Sequence, residues 1–474
     1  MELAQIKLKE KSKKQKMQMP HTLVIIAVII AIVAVATYLI PGGAYETTVN
    51  ESGKTVVVNG TFKYIQSQPQ NIFKVLQAPI QGIVEGAEII AFLFIVGGAF
   101  SVISKTKAID FGILRIVEIF KGKEILVLPI LIFMFSLGGA TFGMSEESVA
   151  FIAILLPLVL ALGYDSIVAM CVTYLACNLG FSSAMLNPFT VGIGQSIAEV
   201  PLYSGVEYRT IIWFITTAVG CAFVMIYAMK IKKNPKLSPV FESDQIKHEK
   251  LKDIQSESAE FTTSHKIIVL SLFIGIGIIV YGVLKLEFWI PEIAGIFLAV
   301  GLISGIVGKL EPNEMASAFT EGAKDMIGAA ILIGFARSIM IIAQNANIID
   351  TILFNLSNAI GHLPSLIAAY IMLPIQMFIN FFVNSGSGQA ALTMPILAPL
   401  GDLVGISRQL TVLIYQLGDG FSNAMFPTSG VLIACLGIAG IPYGKWLKWI
   451  IPLQIILFIC SLGFITVAKL IGWA

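Results

Sequence analysis

Charge is scarce in this chain. Asp, Glu, Lys and Arg make up 13% of its 474 residues, while hydrophobic types reach 56% and the mean hydropathy is +0.86. A soluble chain of this length cannot bury that much apolar surface, so most of it must face lipid. Histidine is scarcer still. His21, His248, His265 and His362 all fall outside the long apolar runs, which removes the usual metal ligands of a membrane enzyme. The five cysteines (Cys171, Cys177, Cys221, Cys435, Cys460) sit inside apolar runs without metal spacing and read as small buried hydrophobes, not a disulfide framework. The chain lacks a Gly-rich phosphate loop, an HExxH motif and a nucleophile elbow, so neither ATP use nor hydrolysis is suggested. The expectation is therefore no enzyme, no cofactor, no resident metal and no nucleic-acid partner. Short loops leave no sizeable soluble domain for a receptor.

What the chain does have is a string of apolar segments interrupted by glycine, proline and small polar residues. Residues 1–20 are a Lys-rich tail. Residues 21–40 form a first span ending at Pro41-Gly42-Gly43, too long and without a small-residue cleavage site for a signal peptide. Residues 44–70 read as an extramembrane loop, 71–85 as an amphipathic interfacial helix, 86–104 as a span and 105–123 as a second interfacial helix. The stretch 125–162 has two apolar arms around a small polar tip, Gly138 to Ser148. That pattern predicts a re-entrant hairpin, tolerated only where protein or water surrounds its backbone. Residues 166–200 read as a helix broken near Asn178–Pro188, and 209–229 as a plain span. The charged stretch 230–265 reads as a soluble linker between two halves, 21–229 and 266–474.

The second half repeats the first. Gly180-Phe181-Ser182-Ser183-Ala184-Met185 returns as Gly420-Phe421-Ser422-Asn423-Ala424-Met425, and Glu85-Gly86-Ala87 as Glu321-Gly322-Ala323. Ile109-Asp110 returns as Ile349-Asp350, Ser145 and Pro157 as Ser387 and Pro399, and Gly163 as Gly405. The order is a span at 266–285, an extra span at 289–308, an interfacial segment at 311–325 and a span at 326–344. A hairpin at 365–403, a broken helix at 408–440 and a last span at 446–470 follow. With the N-terminus cytoplasmic, inside segments hold 23 Lys and Arg, against seven outside: Lys54, Lys63, Lys74, Arg209, Lys285, Arg408 and Lys469. The extra span flips the second half, so the two repeats are expected to have inverted topology.

Hairpin tips and helix breaks should converge near mid-bilayer, where unwound carbonyls suit cations and half-helix N-termini suit carboxylates. The candidate substrate- and ion-binding residues are Ser145, Glu146, Glu147 and Ser148 at the first tip, with Asn384, Ser385, Ser387 and Gln389 at the second. Asn178, Ser182, Ser183 and Asn187 belong to the first break, and Asp419, Ser422, Asn423 and Thr428 to the second. Small polar residues also serve simply to pack membrane helices, so each hydroxyl has a structural alternative. The acids carry more information, because a charge deep in a bilayer costs roughly 2.5–3.5 kcal/mol on insertion scales. Arg337 is the one basic residue read inside a span, either paired with an acid or binding a carboxylate. Glu88 reads as interfacial, and Asp165, Asp402 and Arg408 as loop residues in solvent.

Several motifs carry a family resemblance: Gly143-Met144-Ser145-Glu146-Glu147, Leu186-Asn187-Pro188-Phe189-Thr190-Val191-Gly192, Asn384-Ser385-Gly386-Ser387-Gly388-Gln389 and Gln416-Leu417-Gly418-Asp419-Gly420-Phe421-Ser422-Asn423. With Met19-Pro20-His21-Thr22 and Pro41-Gly42-Gly43 they resemble the YfcC family. That family belongs with the DcuC-like anaerobic dicarboxylate carriers of the ion-transporter superfamily. The resemblance implies an all-α polytopic membrane protein with two inverted-topology repeats, each with a re-entrant hairpin and a broken helix, and elevator-type motion. It implies a secondary transporter of small carboxylate-bearing metabolites in a bacterial inner membrane, a homodimer, with Na⁺ or H⁺ as coupling ion and sodium held at the hairpin tips. Glu146-Glu147 departs from the Ser-Asn-Thr tips of superfamily relatives and tilts the expected substrate towards amino acids such as arginine and ornithine. Sodium-coupled or exchange transport of four-carbon dicarboxylates stands as the alternative, with an integral membrane enzyme as the alternative of another class.

Overall fold

A computed structural model describes residues 22–49, 55–58, 60–108, 111, 124–247, 262–286, 288 and 290–473. The Lys-rich tail, most of the 105–123 segment and residues 248–261 of the linker lie outside them. In the first half the helices are α1 (Thr22–Leu39), α2 (Ile72–Glu85), α3 (Ala87–Lys105), α4 (Val127–Phe142), α5 (Ser148–Ala161), α6 (Ser166–Ser182), α7 (Ile193–Ile197) and α8 (Val206–Lys233). In the second they are α9 (Thr263–Lys285), α10 (Ile290–Val307), α11 (Pro312–Asp325), α12 (Ile327–Asn345), α13 (Ile348–Ile360), α14 (Ser365–Phe382), α15 (Gly386–Leu403), α16 (Arg408–Asn423), α17 (Gly430–Ala439) and α18 (Tyr443–Leu470). Among the described residues, α3, α8, α10, α14 and α18 are each long and apolar enough to cross a bilayer. Large apolar side chains such as Ile32, Ile130, Phe214, Phe273 and Ile306 stay exposed on the outer faces. The chain is a polytopic helical membrane protein.

Two jointed helices, one from each half, cross each other. In the first, Asn71 caps α2 by accepting from Lys74 N at 2.9 Å, and the chain bends at Gly86 into α3. In the second, Glu311 and Glu314 form a capping box with Pro312 in the first turn, and α11 bends by 41° into the helix that follows. Each jointed helix ends on a left-handed residue, Lys107 (φ 58°) and Asn347 (φ 57°). They pack crosswise, α2 along α12 and α3 along α11. A Cβ on Gly82 would lie 2.1 Å from Gly334 O, and one on Gly322 2.2 Å from Gly97 O, so glycine is required for this approach. α2 and α11 each pack one face against a helix of the other half, while α2 leaves Ile72, Phe73, Leu76, Ile80 and Val84 exposed.

Both hairpins form. The first tip, however, is Gly143–Glu147, because α4 runs on through Gly138-Gly139 to Phe142. Gly139 lies in a contact with α6: a Cβ on it would lie 2.1 Å from Cys177 O, and one on the facing Gly180 1.8 Å from Ser136 O. The same reason moves the breaks. α6 continues to Ser182, through a π-helical turn at Cys171–Leu175, and α16 continues to Asn423, so Asn178 and Asp419 stand inside helices, not within breaks. Gly420 is needed where α16 crosses α6, since its Cβ would sit 2.4 Å from Ser182 Cα. The unwound backbone beyond is satisfied internally. Met185 N and Leu186 N donate to Ala140 O at 3.0 Å, Trp446 Nε1 donates to Ala424 O at 2.8 Å, and the Tyr443 hydroxyl donates to Met425 O at 2.7 Å.

Two surface expectations change. Asp165 is buried at 5% exposure, capping α6 through Val168 N and accepting from the hydroxyls of Tyr227 and Ser238 at 2.5 and 2.6 Å. Burial raises its carboxyl above the ordinary value, against the pull of these hydrogen bonds. The linker beyond α8 is docked, not free, as far as residue 247. The Asp244 carboxylate accepts from Ser166 N and Oγ, and Lys247 Nζ donates to Ser166 Oγ, to Asp244 and to Ala439 O, each at 2.7 Å. Asp402 and Arg408 are paired at the surface, Arg408 also reaching Glu199 at 2.6 Å.

Candidate functional site

The two hairpin tips, α6 and the second helix break line one cavity of about 270 Å³. Tip one contributes Gly143, Met144, Ser145 and Glu146. Tip two contributes Asn384, Ser385, Gly386 and Ser387. Asn178 with Tyr174 lines it from α6, and Asn423, Thr428, Ser429 and Gly430 from the second break. Local chemistry sets each piece. Gly143 adopts a left-handed conformation (φ 78°) to end α4. The hydroxyl of Ser385 caps α15 from Gly388 N at 3.3 Å, and that of Ser429 caps α17 from Leu432 N at 3.4 Å. The first turns of α15 and α17 thus present unpaired N–H groups and the positive ends of their dipoles towards the cavity.

The remaining predicted residues support this lining from behind. Glu147 is 8% exposed and turns back to accept from Ser145 N at 3.0 Å, while Ser148 donates to Ser145 O. Ser182 and Ser183 bond the carbonyls of Asn178 and Leu179 in their own helix, and Asn187 Oδ1 accepts from Phe189 N at 2.8 Å. Ser422 donates to Gly418 O and accepts from Asn380 Nδ2 at 2.7 Å. Asn380 also donates to Asn423 Oδ1, which receives Asn384 Nδ2 at 2.7 Å, tying the second tip to the second break. Gln389 bonds Gln376, and Asp419 is wholly buried behind the tip.

Three charged residues outside the predicted site set reach the cavity wall: Glu85, Glu88, which was read as interfacial, and Arg337, which was read inside a span. The bend at Gly86 brings them in, since a Cβ there would touch Arg337 Cδ at 3.2 Å and so places the guanidinium stem over the joint between the two acids. With Glu146, the lining holds three carboxyl groups and one guanidinium. Arg209, counted with the outside charges at the start of the 209–229 span, is 1% exposed inside α8; its Nη1 donates to Gln416 Oε1 and its guanidinium lies 5.4 Å from the Trp473 ring centroid. Its burial had no local signal in the sequence.

A lipid-embedded helical bundle enclosing a polar cavity between two hairpin tips defines a membrane carrier. The chain belongs to the DcuC family of C4-dicarboxylate anaerobic carriers, whose pattern it matches over residues 19–470. It is 41% identical over 95% of its length, and 96% of the relative's, to the Escherichia coli K12 protein named "Putative basic amino acid antiporter YfcC". It is 30% identical over 84% of its length, and 79% of the relative's, to an uncharacterized protein of Haemophilus influenzae. Among solved structures it is similar to the Alcanivorax borkumensis YdaH transporter (16% identity, TM-score 0.41, 96% of this chain and 99% of that one). It is also similar to Neisseria gonorrhoeae MtrF, described as one of a class of antimetabolite efflux pumps (16% identity, TM-score 0.40, 95% of each chain).

Proposed function

We propose that this carrier is a secondary active exchanger of basic amino acids. The observation that carries the reading is the charge set of the cavity. Glu85, Glu88 and Glu146 face a single Arg337, next to the first turns of α15 and α17. A ligand matched to that wall has one carboxylate, for Arg337 and the helix N-termini, and two cationic groups, for the acids. Arginine, ornithine and lysine have that pattern. A four-carbon dicarboxylate supplies two anions and would leave three carboxyl groups facing it. The name given to the Escherichia coli relative agrees with the first ligand class, and the family description with the second.

The transport cycle we propose rests on two inverted repeats, each with a re-entrant hairpin, in a bacterial inner membrane with the N-terminus cytoplasmic. Support comes from the matched bends at Gly86 and Met326, the matched left-handed turns at Gly163 and Gly405, and the crosswise packing of the jointed helices. One hairpin would gate each side, as in an elevator carrier. Purified protein tests the ligand class directly. Arginine and ornithine should raise its thermal midpoint saturably while succinate does not; stabilisation by succinate alone would reverse the assignment.

A further inference from the structure

The two long crossing helices α8 and α18 run antiparallel and share a membrane end. The rings of Phe223 and Tyr227 in α8 meet the Trp449 ring of α18 at centroid distances of 5.3 and 5.1 Å, and far along both helices the Tyr208 hydroxyl donates to Phe464 O at 2.7 Å. Just beyond the rings, α8 carries Lys230 and Lys233, the turn that follows carries Lys236, and the first turns of α18 carry Lys445 and Lys448. Lys445 is half-buried and the other four are exposed. No local acid offsets them, since the sequence has no Asp or Glu between Glu207 and Glu242, nor any after Asp419. Among the described residues, none of the five lies within salt-bridge distance of a carboxylate. The buried acids at this end are engaged elsewhere, Asp165 by the hydroxyls of Tyr227 and Ser238 and Asp244 by Ser166 and Lys247. Lys232 sits 5.1 Å over the Tyr164 ring.

One turn below these lysines each helix turns an apolar side chain outward, Ile226 at 65% exposure under Lys230 and Ile451 at 40% under Lys448. Aromatic rings at the same level mark the border between hydrocarbon and headgroups. We propose that this shared end of α8 and α18 binds an anionic phospholipid, its phosphate among the five lysines and its acyl chains along the apolar faces below. The chemistry selects that partner. Lysines act as point charges, which suit a phosphate held without fixed two-point geometry. A soluble anion would meet the lysines but leave Ile226 and Ile451 uncovered, and a zwitterionic lipid brings a cation of its own to the same crest. A basic crest next to a crossing helix attracts anionic headgroups with roughly 1 kcal/mol per lysine. Lys236 and the exposed Leu237 belong to the segment that Asp244 and Lys247 dock, and there Lys247 joins Ser166 of α6 to Ala439 O at the end of α17. A lipid bound here therefore steadies a joint between the two halves. The site does not rest on the exchanger reading.

The test is the thermal midpoint of the purified full-length chain in neutral detergent, titrated with phosphatidylglycerol or with phosphatidylcholine of the same acyl chains. Phosphatidylglycerol should raise the midpoint saturably, and less so at high salt, while phosphatidylcholine should not. Lys230→Gln combined with Lys448→Gln should shift the phosphatidylglycerol response to higher lipid, roughly fivefold for each lysine removed. Lys74→Gln combined with Lys324→Gln, an equal loss of charge at other helix ends, should leave it in place, as should Lys448→Arg. If the first double variant does not fold, Lys448→Gln alone makes the same comparison with a roughly fivefold shift. Equal rises with both lipids, an unshifted response in the folded site variant, or the same shift in both double variants would overturn the site. So would a rise reproduced by glycerol phosphate alone, which would assign the lysines a soluble anion.

Discussion

At the scale of residues, the acids divide into those that line the cavity and those that hold the tips. Glu146 and Glu147 are adjacent yet divided: one lines the cavity, the other accepts a backbone N–H within its own tip. Glu146→Gln should therefore raise the KM for arginine by about tenfold or more, the loss of roughly one charge-assisted contact. Arg337→Ala should weaken every carboxylate-bearing ligand alike, and uptake assays with arginine and a neutral amino acid separate the two effects. A Glu146→Gln variant with an unchanged KM for arginine would remove that acid from the site. The tip residues were legible because a charge in a small-residue break is conspicuous in apolar sequence. Glu85, Glu88 and Arg337 were not assembled, because their meeting depends on a bend at Gly86 and a crossing with α12 that lie far apart along the chain.

At the scale of elements, glycine explains both what was legible and what was misplaced. Sequence reading put the first break near Asn178–Pro188, the second within 408–440 and the first tip at Gly138–Ser148, yet Gly139, Gly180 and Gly420 in these stretches sit where one helix touches another. The true interruptions come downstream, at Ser183–Asn187 before Pro188 and at Ala424–Ser429 around Pro427. A glycine in an apolar run signals either a break or a close approach, and only the packing distinguishes them. Two variants separate these uses. Gly180→Val should abolish folded yield, as its Cβ would collide with Ser136 O at 1.8 Å. Gly163→Ala should fold and lose only about 1–2 kcal/mol, the cost of a left-handed alanine with nothing within 4 Å. The docked start of the linker was also hidden, since charged residues such as Asp244 and Lys247 read as solvated. Asp244→Ala should release it, seen as faster amide exchange across 235–247 than in wild type. Unchanged exchange there would deny that anchor.

At the scale of the whole molecule, a polytopic helical membrane protein was readable from composition, and the spans read at 86–104, 209–229, 289–308 and 446–470 fall on helices long and apolar enough to cross a bilayer. What composition could not supply is the identity of the solute, because a cavity is defined by side chains that meet from five or more segments of the chain. The central claim is that the cavity's three carboxyl groups and lone guanidinium select a dicationic amino acid for exchange. Counterflow in proteoliposomes measures it most directly, with unlabelled ornithine or arginine inside and labelled arginine outside, alongside labelled succinate against internal succinate. Transient accumulation of arginine that depends on the internal basic amino acid and is lost in Glu146→Gln is the expected result. Accumulation of succinate, with arginine static in the same folded preparation, would contradict it.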